Sequence, residues 1–171
     1  MYTLSDFTAP VDATAVHKLR EAGAIVIGTA NMDEFGMGSF GKNGKNGIVR
    51  NPIDPDHFPG GSSAGSAASV KSYSCLGSLG TDTGGSVNYP AHCCGLVSMK
   101  PSFGRISRSG QILYSSSNET IGPFAHIVAD IHAFFGKWLR LKIWSFLVEM
   151  ISFLLDQIRF GLTNLALNKN N

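Results

Sequence analysis

Two glycine–serine segments constrain this chain more than anything else in it: PGGSSAGSAA at 59–68 and GSLGTDTGGSVNYPA at 77–91. Glycine lets the backbone pass where a side chain would clash, and it bares main-chain N–H groups to a ligand. The stretch between them, GSAASVKSYSC from residue 65, has the small residues of a helix packed close against a neighbour. CLGSLGTD (75–82) then reads as a short strand running into the glycine turn at 82–86. A serine that closes such a turn, here Ser86, is either a nucleophile beside its own oxyanion hole or a plain turn residue.

The flanks give the fold class. DATAVHKLREAG (12–23) predicts a helix with Asp12 as N-cap, Val16 and Leu19 on one face, and Gly23 closing it. AIVIGTAN (24–31) predicts a short apolar strand, so residues 12–31 form a helix–strand unit. From Gly36 to Gly61 the density of Gly, Asn, Pro and Asp excludes a long helix or a central strand. Further short strands are expected within CCGLVSMKPSFGRIS and SGQILYSSSNETIGPF, with a helical pattern resuming over 126–137. The expectation is an α/β fold with a mixed sheet flanked by helices.

Composition narrows the function classes. In 171 residues, 43% hydrophobic and 15% charged, there is enough apolar material for one globular core. A net charge of +2 is too small to imply a nucleic-acid or membrane-surface partner by itself. Three cysteines, two of them adjacent at 93 and 94, fit a reducing compartment better than a disulfide framework. The N-terminus lacks both the apolar run of a signal peptide and the acid-poor character of a presequence. Residues 138–162 differ in texture, being aromatic and Leu-rich. Arg140, Lys142, Glu149, Asp156 and Arg159 interrupt them too often for a membrane span, so a buried or interfacial helix is expected.

Several glycine-region patterns fail on context. GMGSFG (36–41) has dinucleotide-fingerprint spacing, but no strand immediately precedes it and no helix can follow. GMGSFGKN approaches a phosphate-binding loop, yet Asn43 stands where a magnesium-binding hydroxyl belongs. GSSAG (61–65) matches a nucleophile elbow centred on Ser63, with a turn-rich segment where the elbow's strand should be. His92, Cys93 and Cys94 lack zinc-ligand spacing, and a buried strand end is the expected role of these cysteines.

Taken together, with Ser62 and Ser86 24 positions apart, the two segments closely resemble the amidase signature family. The resemblance continues through GLVSMKPSFGRIS (95–107) and covers roughly residues 10 to 136. Within that family, GTANMDEFGMGS (28–39) and SSSNETIGPFA (115–125) look most like the A subunits of tRNA-dependent amidotransferases. Either serine alone is as readily a turn cap; the pair in this context favours chemistry.

The resemblance implies a partial amidase-signature domain over 1–137, and the change of composition beyond it an unrelated hydrophobic helical tail over 138–171. It implies Ser86 as nucleophile and Ser62, preceded by a cis peptide bond, as proton relay to a neutral lysine. Gly60, Gly61 and Ser63 would build the relay loop, and Thr83, Gly84 and Gly85 the oxyanion hole. The implied function is a glutaminase subunit supplying ammonia for conversion of Glu-tRNA(Gln) to Gln-tRNA(Gln). Its partners would be the other subunits of the complex, which uses ATP; no metal or cofactor is bound by the visible motifs and no membrane is implied. The vicinity of NYPAHCCGLVSMKPS is similar to fungal mitochondrial members, which points to the mitochondrial matrix. The alternatives are a stand-alone amidase acting on a small or lipid amide, and a non-catalytic fragment.

The chain also departs from the family pattern. The family's catalytic lysine lies in a strand upstream of the first helix, and Lys18, Lys42 and Lys45 are no natural substitutes. Lys100 matches a scaffold position, and Asp82 is expected to accept backbone hydrogen bonds in its turn. Asn88 replaces an arginine two residues after the nucleophile, so a local change of partner near Asp82 is expected. No resemblance extends beyond about residue 137. A truncated gene model, or read-through into non-coding sequence, is the expectation, and with it a chain without useful amidase activity on its own.

Overall fold

The computed structural model describes residues 7–139, within one compact unit spanning Met1–Leu139. Four helices and three strands follow one another as α1 (Thr14–Glu21), α2 (Ala64–Lys71), β1 (Gly77–Asp82), α3 (Asn88–Cys93), β2 (Val97–Ser98), β3 (Thr120–Ala125) and α4 (Val128–Leu139). The sheet order is β1–β3–β2. Both ladders are antiparallel, with Gly77 opposite Ala125 and Asp82 opposite Thr120 in one, and Val97 opposite Ala125 in the other.

β3 is buried along its whole length because both its faces are covered. Alternate side chains of a strand point to opposite faces, and β3 uses both. Phe124 joins Ala67 and Val70 of α2 and Val87, Ala91 and Cys94 around α3. Ile121 joins Ala15 and Leu19 of α1, with Ile106, Leu79 and Phe134 of α4. The α/β class read from the sequence is thus realised as helices on either side of a small sheet.

α2 depends on small residues. Ala64, Ser66, Ala67 and Val70 turn inward, and the Ser66 hydroxyl donates to the Leu79 carbonyl of β1 at 2.8 Å. The Ser78 hydroxyl answers by donating to the Ser66 carbonyl at 2.7 Å. Such proximity leaves no room opposite Ser63, where a Cβ at Gly80 would lie 2.6 Å from its Oγ.

Several expectations need correction. Residues 24–30 form no strand: Ile25, Val26 and Ile27 are 87%, 47% and 69% exposed, and no described strand pairs with them. A strand without a ladder leaves its backbone groups to water, whatever its propensity. The parallel pairing implied by a mixed sheet is accordingly absent among the described residues. Asp12 does not cap α1; Ala13 holds that position, and Asp12 instead faces Arg20 at 3.4 Å. Gly23 closes the helix as expected, at φ +87° with its N–H on the Arg20 carbonyl. Cys93 and Cys94 end a helix, α3, rather than a strand. Pro90 is tolerated at its third position because first-turn N–H groups have no intrahelical acceptor. Burial pushes the Cys94 thiol up to about 11.

No helix among the described residues is long and apolar enough to cross a membrane. The hydrophobic tail falls outside the described residues from Arg140 onward.

Candidate active site

The segment before α2 holds the residues expected to form the relay. Gly60 adopts φ +79° with its Cα against Pro90, where a Cβ would meet the Pro90 Cα at 2.7 Å. The Gly61–Ser62 peptide bond is cis. Ser62 is fully buried, and its Oγ has no hydrogen-bond partner among the described residues. Its carbonyl accepts from the Asp33 N–H at 3.0 Å, and Gly36 faces its hydroxyl, a Cβ there lying 3.6 Å from Oγ. Ser63, the centre of the elbow-like pattern, is engaged elsewhere. Its Oγ donates to the Thr81 carbonyl and accepts from the Thr81 N–H, both at 3.2 Å.

β1 delivers the second segment by ending on Asp82, whose side chain is 0% exposed. Oδ1 accepts from the Gly85 N–H at 2.8 Å; Oδ2 accepts from Val87 at 2.8 Å and Asn88 at 3.3 Å. Lys100 Nζ lies 2.9 Å from Oδ1 and donates to the Thr83 carbonyl at 2.6 Å. Burial alone would raise the Asp82 pKa. Lys100 and the N–H groups of Val87, Gly85 and Asn88 outweigh it and hold the carboxyl below its usual 3.8. Asp82 and Lys100 therefore form the scaffold of the turn, in line with the sequence expectation.

Ser86 sits at the end of this turn, two residues before α3 begins. Its carbonyl accepts from the Ser63 N–H at 3.2 Å, so the two serine segments are joined directly. Gly84 and Gly85 border open space, with nothing within 4 Å of an added Cβ at either. The expected oxyanion donors are not equivalent, however. The Gly85 N–H is committed to Asp82, whereas the amides of Thr83 and Gly84 carry no such bond among the described residues. The Asn88 Oδ1 accepts from the Ser98 hydroxyl at 3.0 Å.

Three residues that the motifs did not single out shape the surroundings. Asp33 is fully buried and accepts from the Gly41 and Asn43 N–H groups at 3.1 and 2.8 Å. Glu119 accepts from the Tyr114 and Ser115 N–H groups at 2.7 and 3.2 Å. Gln111 has both amide atoms buried without a partner among the described residues. Gln111 and Glu119 line a cavity of about 460 Å³, together with Asn31, Phe35, Gly36 and Thr81. An acid just ahead of the glycine-rich segment that starts at Gly36 was the available signal for Asp33; for Gln111 the sequence carried none.

The amidase family profile matches residues 1–146. The chain belongs to the amidase family. Within this family it is similar to the A subunit of glutamyl-tRNA(Gln) amidotransferase from Akkermansia muciniphila, 52% identical over 127 residues. It is 55% identical over 127 residues to the corresponding subunit from Nitratidesulfovibrio vulgaris. These alignments take in 74% of the chain but only 27% and 26% of the two relatives, so it spans about a quarter of their length. Among solved structures, the A subunit from Thermotoga maritima superposes with a TM-score of 0.75 at 42% identity, over 78% of this chain and 29% of that one. An amidase crystal structure matches at 0.74 and 44%, covering 78% of this chain and 31% of the other.

Proposed function

We propose that this chain forms the serine-bearing part of an amidotransferase subunit that releases ammonia from glutamine to convert Glu-tRNA(Gln) into Gln-tRNA(Gln). One observation carries the reading: a buried, unbonded Ser62 hydroxyl lies one residue from the Ser63 N–H that holds the Ser86 carbonyl. The kinship with A subunits of that enzyme supplies the substrate.

Ser86 Oγ attacks the glutamine carboxamide carbon, and its proton passes to Ser62 as the bond forms. The amides of Thr83 and Gly84 receive the developing oxyanion, while the Gly85 amide stays on Asp82. Collapse of the intermediate returns a proton to the departing nitrogen, frees ammonia and leaves a γ-glutamyl ester on Ser86, which water then cleaves. Lys100 is held by Asp82 and the Thr83 carbonyl, so the neutral lysine beyond Ser62 is not Lys100. Gly60, Gly61 and Ser63 hold the relay in place. The other subunits handle Glu-tRNA(Gln) and ATP, and this chain binds glutamine with no metal or cofactor of its own. A mitochondrial setting rests on the NYPAHCCGLVSMKPS stretch alone; the relatives named above are bacterial.

The test is glutamine hydrolysis by the purified chain, alone and with the other subunits. The chain alone is expected to turn over negligibly, and the assembled complex to hydrolyse glutamine in a way that Ser86→Ala abolishes. Turnover that survives Ser86→Ala would sink the mechanism. Robust cleavage of simple amides without a partner would favour the stand-alone amidase.

A further inference from the structure

We propose that Asp33 is a positioning residue for the Ser62 hydroxyl, a role that rests on the amidase reading above. Among the described residues the Ser62 Oγ has no hydrogen-bond partner, so its place is set by the backbone that carries it and the wall it faces. Asp33 touches both. Its N–H donates to the Ser62 carbonyl at 3.0 Å, and its own carbonyl accepts from the Gly36 N–H at 3.0 Å. Gly36 is the residue opposite the hydroxyl, where an added Cβ would lie 3.6 Å from Oγ.

The carboxylate acts on the other flank. A Cβ at Gly61 would lie 2.5 Å from Asp33 Oδ2, and one at Gly38 would lie 2.3 Å from Cγ. The side chain thus fills the space directly behind the residue that precedes Ser62. It is held there by the N–H groups of Gly41 and Asn43, which satisfy one oxygen each. A buried carboxylate is costly unless its acceptors are filled, and here two loop amides fill them. One residue therefore joins the Ser62 carbonyl, the peptide before it, the wall facing its hydroxyl and the 41–43 loop. A relay needs this fixity, because misplacement by about 1 Å lowers the rate on the order of a hundredfold.

Two variants test the role, each compared with the wild-type full chain, alone and with the partner subunits present. Asp33→Asn keeps the size of the side chain but turns one acceptor toward an N–H as a second donor. Gly38→Ala pushes on the carboxylate without altering it, and keeps the test usable if the first variant does not fold. Two readouts are taken on folded protein: the Ser62 amide and 13Cβ resonances, and the rate at which a fluorophosphonate labels Ser86. Both variants should shift the Ser62 resonances, leave those of Ile131 in α4 in place, and slow labelling at least tenfold. A lower melting temperature with unchanged Ser62 resonances would make Asp33 merely structural and overturn the proposal. So would an unchanged labelling rate wherever the wild type labels at Ser86. Wild-type labelling that is absent, or that survives Ser86→Ala, counts against the amidase reading alone; the Ser62 resonances then decide the role of Asp33.

Discussion

Between Pro59 and Cys93 most polar groups that leave water find partners close by, the Ser62 hydroxyl being the exception, whereas residues 24–30 hold their apolar side chains in solvent and join no ladder among the described residues. In the first region Ser63 serves Thr81, Ser66 serves Leu79, and Asp82 gathers Gly85, Val87 and Asn88. A glycine–serine turn brings its hydrogen-bonding partners along in the sequence. An apolar strand does not, because its partner must come from elsewhere in the fold. The site region can therefore be well organised while the neighbouring stretch of apolar chain stays unpaired.

The sharpest way to break this contrast is at Asp82. Asp82→Ala should destabilise the chain by about 3–5 kcal/mol, since it strips a buried ion pair of one member and orphans three amides. Urea unfolding at neutral pH measures it. Because the folded-state pKa lies below 3.8, the contribution is fully present above the unfolded value and is lost as pH falls through the folded one. The gap between wild type and Asp82→Asn should therefore be constant above about pH 5 and close in stronger acid. A gap that widened on acidification would mean that burial, not Lys100, governs this carboxyl.

A smaller effect is expected where the two regions meet. Gly65 of α2 donates its N–H to the Asn31 carbonyl at 2.8 Å, and a Cβ there would lie 2.3 Å from that oxygen. Gly65→Ala must part the helix from the end of the exposed stretch, at about 1–3 kcal/mol. Thermal unfolding with no measurable change would show that the 31–33 segment moves aside freely, and that Asp33 is less fixed than its contacts indicate.

What is legible in the sequence follows the same division. Ser62, Ser86, Gly60 and Gly61 are visible because their spacing lies within one local unit, and α2, β1 and β3 follow from patterns of a few residues. The bond from the Gly85 amide to Asp82 is not legible in the motif, because the side chain that takes this amide lies three residues earlier and nothing in the spacing singles it out. α3 escapes notice because Pro90 and the paired cysteines suggest a strand end, although a proline in the first turn interrupts no helical bond. Asp33 reaches Ser62 across a long separation in sequence, and no local pattern records such a contact. Residues 24–30 mislead for the opposite reason: periodicity reports the capacity to be a strand, while pairing decides whether one forms.

The smallest effect on stability should come from the exposed stretch itself. Ile25→Lys and Ile27→Lys replace side chains that are 87% and 69% exposed, so each should change unfolding free energy by no more than about 0.5 kcal/mol. Their value lies in a second measurement. An apolar segment that joins no ladder among the described residues is a template for another strand, and a lysine on it opposes that pairing. If residues 24–30 are recruited as a ladder by another polypeptide, whether a second copy or a partner subunit, both variants should weaken that association in sedimentation while leaving the melting temperature unchanged. A loss of several kcal/mol in the chain alone would instead mean that Ile25 and Ile27 are buried in solution, and the contrast with the serine segments would fall.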